Sequence, residues 1–237
     1  MNIIWLLQGS MILESGKYRL VIDPYISDYV EKHHGVTRLA QPPLSASEIR
    51  PSFIYCTHNH IDHLDPEGLP EILELNNDCP VSGPISVVKE CEKLGIRPAI
   101  LIRAEIDKPF KAGPFELIPV KAYHSDADAT GLIVKAEGKT IYISGDTEYR
   151  DELPSIIRKS AGSRIDIVII CINGRLGNMN LEDAVKTVKS LGVRTAIPMH
   201  YGLFQQNTAD PVPFVDACKD ADMNSFMMQP GKSIKLN

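Results

Sequence analysis

Hydrophobic positions along this chain come in short runs separated by turn formers, and the runs switch between the period of a strand and that of a helix. Residues 3–7, 11–14 and 18–22 have the character of strands, with Glu14-Ser15-Gly16-Lys17 as a hairpin turn between the last two. Pro24 ends the third strand in Val21-Ile22-Asp23-Pro24, because proline has no N–H to give to a ladder. Residues 27–51 are polar and rich in turn formers, which predicts a long loop with a short helix near 47–49. Phe53-Ile54-Tyr55-Cys56 predicts a buried strand, and residues 66–75 show helical spacing with proline at the start. The same patterns predict strands at 79–82, 99–103, 115–120, 131–136 and 140–144, and helices at 85–94 and 153–159. Residues 165–172 are continuously apolar, as a fully buried strand would be. Residues 181–191 form an amphipathic helix behind Asn180, a good N-cap. A strand at 195–199, a helix at 211–220 and strands at 225–228 and 233–236 complete the pattern.

Strands come first and then alternate with helices, in two loosely similar halves, without an internal repeat, a low-complexity stretch or a linker. Two packed sheets with helices outside both would bury every apolar face, although periodicity alone leaves other α/β layouts open. The 237 residues suffice for one sizeable domain, expected over residues 1–237, and are few for two. The net charge of −5 disfavours broad, non-specific nucleic-acid binding but leaves room for a local basic pocket. The first seven residues are apolar without a positively charged leader, so they read as a strand rather than a signal peptide. No apolar run is long enough to span a bilayer. Cys56, Cys79, Cys91, Cys171 and Cys218 are odd in number, widely spaced and free of any Cys-x-x-Cys pair. They predict small buried thiols and a reducing cytoplasm rather than a disulfide framework.

The segment that carries chemistry is His58-Asn59-His60-Ile61-Asp62-His63. It follows one predicted strand and precedes a helix, so its side chains would sit in a loop at a sheet edge. His58 and His60 can face one side of an extended segment, leaving Asp62 and His63 to face a neighbouring ion. Neutral imidazoles with a carboxylate suit Zn, Mn or Fe(II). His124 in Ala122-Tyr123-His124-Ser125, Asp146 in Ser144-Gly145-Asp146-Thr147 and His200 in Met199-His200-Tyr201 each stand at the end of an apolar run. Open α/β sites gather their ligands at such strand ends.

These segments, taken in order, resemble the metallo-β-lactamase superfamily. Within it the chain is most similar to the L-ascorbate-6-phosphate lactonase group, on Gln8-Gly9-Ser10, Leu20-Val21-Ile22-Asp23-Pro24-Tyr25 and Ile172-Asn173-Gly174-Arg175-Leu176-Gly177-Asn178-Met179-Asn180. The resemblance implies an α/β, four-layer αββα sandwich. It implies that His58, His60 and His124 hold one divalent ion, that Asp62, His63 and His200 hold a second, and that Asp146 bridges them. The ions would be Zn or Mn, with Fe also compatible. Asp23 reads either as a turn residue before Pro24 or as a group that orients a ligand imidazole from behind.

Two divalent ions sharing an oxygen bring a water's pKa toward neutrality, so the implied chemistry is attack of a metal-bound hydroxide on a carbonyl carbon or phosphorus. Asp62, Asp146 and His200 are expected to serve in that step. Neither a Gly-x-Ser-x-Gly elbow nor a Walker-type phosphate loop is present. The glycine-rich turn at 173–178 stands before a helix N-terminus, where Arg175 can pair with phosphate and Asn173 and Asn178 can add hydrogen bonds. Asn180 fits a helix cap better than a ligand. Tyr201 reads equally as a substrate contact or as packing. Glu148 and Tyr149 are candidates for the mouth of the site, with helix capping the other reading of Glu148. The expected function is a cytoplasmic, lactonase- or esterase-like hydrolase of a small anionic molecule such as a sugar-phosphate lactone, with homo-oligomerisation left open. A phosphodiesterase or nuclease of the same fold is one alternative, disfavoured by the acidic balance and the lack of a Lys/Arg run. A non-enzymatic metal-binding sensor is another, since it would carry the same ligands.

Overall fold

The computed structural model describes residues 1–236. Six strands of one sheet follow each other in order: β1 (Asn2–Trp5), β2 (Met11–Ser15), β3 (Tyr18–Ile22), β4 (Phe53–Tyr55), β5 (Val81–Gly83) and β6 (Leu101–Arg103). A second sheet holds β7 (Phe110–Ala112), β8 (Phe115–Lys121), β9 (Thr130–Ala136), β10 (Lys139–Ile143), β11 (Ile167–Cys171), β12 (Thr195–Met199) and β13 (Asn224–Ser225), also in order. β14 (Ser233–Lys235) returns to the first sheet and pairs antiparallel with β1. The halves are built alike. In each, antiparallel hairpins lead into parallel strands, the change falling at β3 in one sheet and at β10 in the other.

The alternation of side chains explains the layers. Ile3, Trp5, Met11, Leu13, Leu20, Ile22, Phe53 and Tyr55 face the core shared by the two sheets. Their neighbours Ile4, Leu6, Ile12, Val21 and Ile54 face the other way, into a second cluster. A strand with period two thus supplies two cores at once. The second cluster is closed by residues of α2 (Ala46–Ile49), α3 (Gly68–Leu75) and α4 (Ile85–Lys93), after the short α1 (Tyr29–His34). On the far side, α5 (Leu153–Ala161), α6 (Leu181–Leu191) and α7 (Val212–Lys219) bury Leu153, Ile157, Val188 and Phe214 against the second sheet. Helix, sheet, sheet, helix is the four-layer α/β sandwich that the sequence led us to expect. Among the described residues no helix is long and apolar enough to cross a membrane.

The differences in detail have physical causes. The expected long loop at 27–51 holds two helices rather than one, because α1 buries only Val30 and so shows no apolar stripe. The expected strand at 99–103 begins as a 3-10 turn at Pro98–Ile100, with proline in its first turn. The expected strand at 225–228 shortens to β13. β7 was not anticipated; it is short and only its last residue is buried.

One buried carboxylate ties the segment after β3 to the start of α3. Asp65 accepts hydrogen bonds from Ile26 N (2.9 Å), Ser27 N (2.7 Å), Ser27 Oγ (2.6 Å), Glu67 N (3.1 Å) and Gly68 N (2.9 Å). Asp65→Ala would strand buried N–H groups in a water-poor place, so it is expected to cost about 3 kcal/mol or more of unfolding free energy in urea titration.

Candidate metal centre

Four strand ends deliver the polar residues of this site. After β4 the chain coils tightly, with His63 N and Leu64 N both donating to His60 O (2.9 and 2.7 Å), which folds the histidine-rich segment back on itself. His124 follows β8, Asp146 follows β10, and His200 directly follows β12. Gly145 precedes Asp146 in a left-handed conformation (φ 56°). A Cβ there would come within 2.9 Å of Thr130 O and 3.0 Å of Thr57 Cβ, so only glycine lets the strand end pass this close to the β4 loop.

All seven residues predicted to hold metal converge. Their ligating atoms form three overlapping sets, His58/His60/His124, His58/His63/Asp146 and Asp62/His63/His200, and within each set these atoms lie within 4.8 Å of one another. Asp146 stands between the two sides. Its Oδ1 is 3.3 Å from His63 Nε2 and 3.2 Å from His200 Nε2, while its Oδ2 is 3.7 Å from His124 Nε2. His63 Nε2 and His200 Nε2 are 3.3 Å apart, and His124 Nε2 and His60 Nδ1 are 3.1 Å apart. Two imidazole nitrogens on one tetrahedral zinc ion would be separated by roughly 3.3 Å, given bonds of about 2.0–2.1 Å. His58 Nε2 and Asp146 Oδ1 are buried and lack any hydrogen-bond partner. Lone pairs facing one another across such gaps, with two orphaned acceptors among them, fit divalent ions.

Four of the five imidazoles also have a partner on the outer side, which fixes the ring. Asp23 Oδ2 lies 2.8 Å from His63 Nδ1, and Asp23 is held in turn by Thr57 N (2.6 Å) and Thr57 Oγ1 (2.7 Å). Thr57 Oγ1 also lies 3.0 Å from His58 Nδ1, Gly177 O 3.1 Å from His124 Nδ1, and Ser125 Oγ 3.2 Å from His60 Nε2. Gln8 Nε2 lies over the His200 ring, 3.3 Å from Nδ1 and 3.2 Å from Nε2, and donates to Asp62 Oδ2 at 3.0 Å. Thr57, Ser125 and Gln8 were not singled out as site residues from the sequence. They are neutral groups whose part depends on neighbours distant in the chain. Gly9 packs so closely that a Cβ would sit 2.6 Å from His63 Cε1.

Burial pushes His58 well below the ordinary imidazole range, and burial together with His124 and His63 lowers His60, so both are neutral donors. His63 differs. Burial also pulls it down, but Asp146, Asp23 and Asp62 outweigh burial and raise it well above the ordinary value. Burial would raise Asp146, yet His200 and His63 hold its carboxyl well below the usual range. Three carboxylates, Asp146, Asp23 and Asp62, thus favour the protonated form of His63 in the ion-free centre.

The cysteines take no part. All five are free and buried, and burial pushes the Cys171 thiol up to about 11. Of the residues proposed for substrate, Asn173 donates to Asn207 Oδ1 (2.7 Å) and Asn178 donates to Asn173 Oδ1 (3.0 Å). Both amides thus brace the turn that carries Gly177 O to His124. Arg175 is exposed on that turn and does not line the large cavity beside the site. Tyr201 is buried and its ring packs 4.7 Å from Trp5. Asn180 caps α6, accepting from Asp183 N at 2.9 Å. The cavity, of about 690 Å³, opens onto His60 and His124 and is lined by Lys121, Tyr123, Ser125, Glu148, Arg150 and Leu176 among others. Lys121 Nζ and Arg150 Cζ each lie 5.8 Å from the centre of the Tyr123 ring, and Arg150 is paired with Glu148 at 2.6 Å.

Residues 18–201 match the Beta-lactamase superfamily domain family. A UPF0173 metal-dependent hydrolase from Metallosphaera sedula is 30% identical over 99% of this chain and 99% of its own length. A metallo hydrolase from Ignicoccus hospitalis has the same fold, with a TM-score of 0.77 at 21% identity over 100% of this chain and 99% of that one. A possible metal-dependent hydrolase from Veillonella parvula superposes with a TM-score of 0.80 at 17% identity, with the same coverage.

Two measurements check the centre. Asp23→Ala frees the His63 ring, and zinc affinity in chelator competition is expected to fall roughly ten- to hundredfold. Because the surrounding carboxylates favour a protonated His63 in the ion-free centre, uptake of an ion is expected to displace a proton, so affinity should weaken as pH falls. Calorimetry at pH 7 in buffers of different ionisation enthalpy should register proton release; heats that do not change with the buffer would contradict it.

Proposed function

This chain belongs to the β-lactamase superfamily and is a metal-dependent hydrolase of it, and from that premise we propose that it cleaves a small anionic ester or lactone at a pair of divalent ions. The observation that carries the two-ion reading is Asp146, with one oxygen toward His63 and His200 and the other toward His124. His58, His60 and His124 would hold one ion, Asp62, His63 and His200 the other, and Asp146 both. When bound, zinc, manganese or iron in such a centre polarises the attacked carbonyl and lowers the pKa of a water toward neutrality.

The chain's own groups supply the rest. Asp23 holds the Nδ1 side of His63, which leaves the Nε2 lone pair facing inward. The side chain of Asp62 is 16% exposed, against 6% for Asp146, which makes Asp62 the carboxylate placed to take a proton from attacking water. Asp146 and His200 fix the opposite wall of that centre at 3.2 Å from each other. Substrate enters from the His60 and His124 side, where the cavity lies. Lys121 and Arg150 give that cavity its positive charge, and Glu148 keeps the guanidinium in place. Leu176, 75% exposed at the rim, offers an apolar contact for a carbon skeleton. This chemistry favours a carboxylate- or phosphate-bearing lactone, a sugar-phosphate lactone being the simplest example.

Turnover of a sugar-phosphate lactone should exceed that of bis(p-nitrophenyl) phosphate, and chelator should abolish it. Activity that survives chelation would end the metal reading, and preference for the phosphodiester would replace the lactone by a phosphodiesterase. Arg150→Ala and Lys121→Ala are each expected to raise KM for the anionic lactone about tenfold with little change for an uncharged ester, as loss of one charge-assisted contact implies. A loss confined to Arg175→Ala would move anion recognition to the 173–178 turn.

A further inference from the structure

We propose that Gln8 is the positioning residue of the second ion's ligands, holding Asp62 through its side-chain amide and His200 through its backbone carbonyl; this rests on the two-ion reading above. Four of the five imidazoles have an outer partner in a carboxylate, a hydroxyl or a carbonyl: Asp23, Thr57, Ser125 and Gly177. His200 differs: the Gln8 amide nitrogen, 3.3 Å from Nδ1 and 3.2 Å from Nε2, lies over the face of its ring. The same nitrogen donates to Asp62 Oδ2 at 3.0 Å, so one side chain touches two of the three residues assigned to one ion. Its backbone grips the same histidine, since Gln8 O accepts from His200 N at 3.1 Å as well as from Trp5 Nε1 at 3.0 Å.

Two further observations give this contact a purpose. Gln8 is fully buried, and its Oε1 has no hydrogen-bond partner. The one directed side-chain hydrogen bond it makes is the one it donates to Asp62, so a fully buried side chain is kept in place for that contact. Leu7 (φ 79°) and Gln8 (φ 49°) are also consecutive left-handed residues without being glycine, in the turn closed by Leu6 N to Ser10 O and Ser10 N to Leu7 O, both 2.9 Å. Glycine or asparagine would adopt that backbone more easily, yet a longer, strained side chain stands there. Strain kept beside a site is explained when the side chain it carries is needed.

Gln8→Asn keeps an amide and suits the left-handed backbone but is too short to reach Asp62; Gln8→Gly removes the side chain and relieves the strain. Zinc binding is measured by chromogenic-chelator competition and elemental analysis, with thermal unfolding of the metal-free proteins alongside. Expected are two equivalents in the natural protein and, in both variants, one equivalent weakened roughly ten- to hundredfold. The other equivalent should stay unchanged, and the metal-free variants should melt no lower than the natural protein. Cobalt(II) titration should show altered visible bands for the weakened equivalent alone. Two equivalents at natural affinity would overturn the proposal, as would equal weakening of both together with a lower metal-free melting temperature. A natural protein that binds fewer than two equivalents would overturn the two-ion reading itself, an outcome distinct from either.

Discussion

The constraint on which the rest depends is the convergence of buried imidazole and carboxylate lone pairs on one place. Asp146 Oδ1 lies 3.2–3.3 Å from two imidazole nitrogens without forming a hydrogen bond, and His58 Nε2 is buried without a partner. Such a cluster is unfavourable by itself, because buried acceptors that face one another lose their water and gain no donor. It becomes favourable when positive charge occupies the centre. In the ion-free protein Asp146, Asp23 and Asp62 raise His63 against the pull of burial and so favour part of that charge on its ring. Divalent ions supply it fully, so folding and metal binding reinforce each other.

The two sheets hold this arrangement because its ligands are attached to strand ends rather than to long loops. β4, β8, β10 and β12 are all buried in the core shared by the sheets or beside it, and each releases its ligands within a few residues of its last pair. β4 belongs to one sheet and the other three to the second, so the centre spans both. Thr130 N donates to Thr57 O at 3.0 Å, and Tyr55 Oη lies 2.8 Å from Thr130 Oγ1, which joins the sheets directly beneath the histidine loop. A change in how the sheets pack is therefore transmitted to the ligand distances. The cavity beside the centre lies outside this part, among Lys121, Tyr123, Glu148, Arg150 and Leu176.

Much of this was legible in the sequence, and the limits have physical reasons. The helix at 181–191 and the strand at 195–199 coincide with α6 and β12, because one carries a full apolar stripe with Asn180 as cap and the other a buried run. The cluster able to hold metal was legible because imidazoles and carboxylates at the ends of apolar runs are chemically conspicuous, and the short motif at 58–63 anchored the distant positions. What escaped was chemistry without a local signature. Arg150 and Lys121 look like ordinary surface charges until β8 and the segment after Asp146 are folded against each other around Tyr123. Arg175 looked conspicuous between glycines, yet the turn presents Leu176 and Gly177 to the cavity instead. Asn173 and Asn178 also brace their own turn, through contacts with Asn207 and with each other that join residues apart in the sequence.

Backbone conformation adds a final constraint that composition could not reveal. Leu7, Gln8, Asp23 and His200 all adopt left-handed φ values, of 79°, 49°, 47° and 65°, although none is glycine. Other left-handed residues of this chain, such as Asp107 and Glu137, sit in exposed turns, but these four surround the second half of the centre. Asp23 uses its unusual conformation to reach His63, and His200 to bring its ring back toward Asp146 after β12 ends. Each of these side chains departs from its strand at an angle that extended backbone does not provide. The buried hydrogen bonds among Asp23, Thr57 and His63 offset that strain in part, and the remainder falls on the turn at Leu7 and Gln8. Local backbone stability has thus been exchanged for fixed ligand directions, which is why glycine, the easier residue for such a turn, is found at position 9 beside His63 and not at position 8 beside His200.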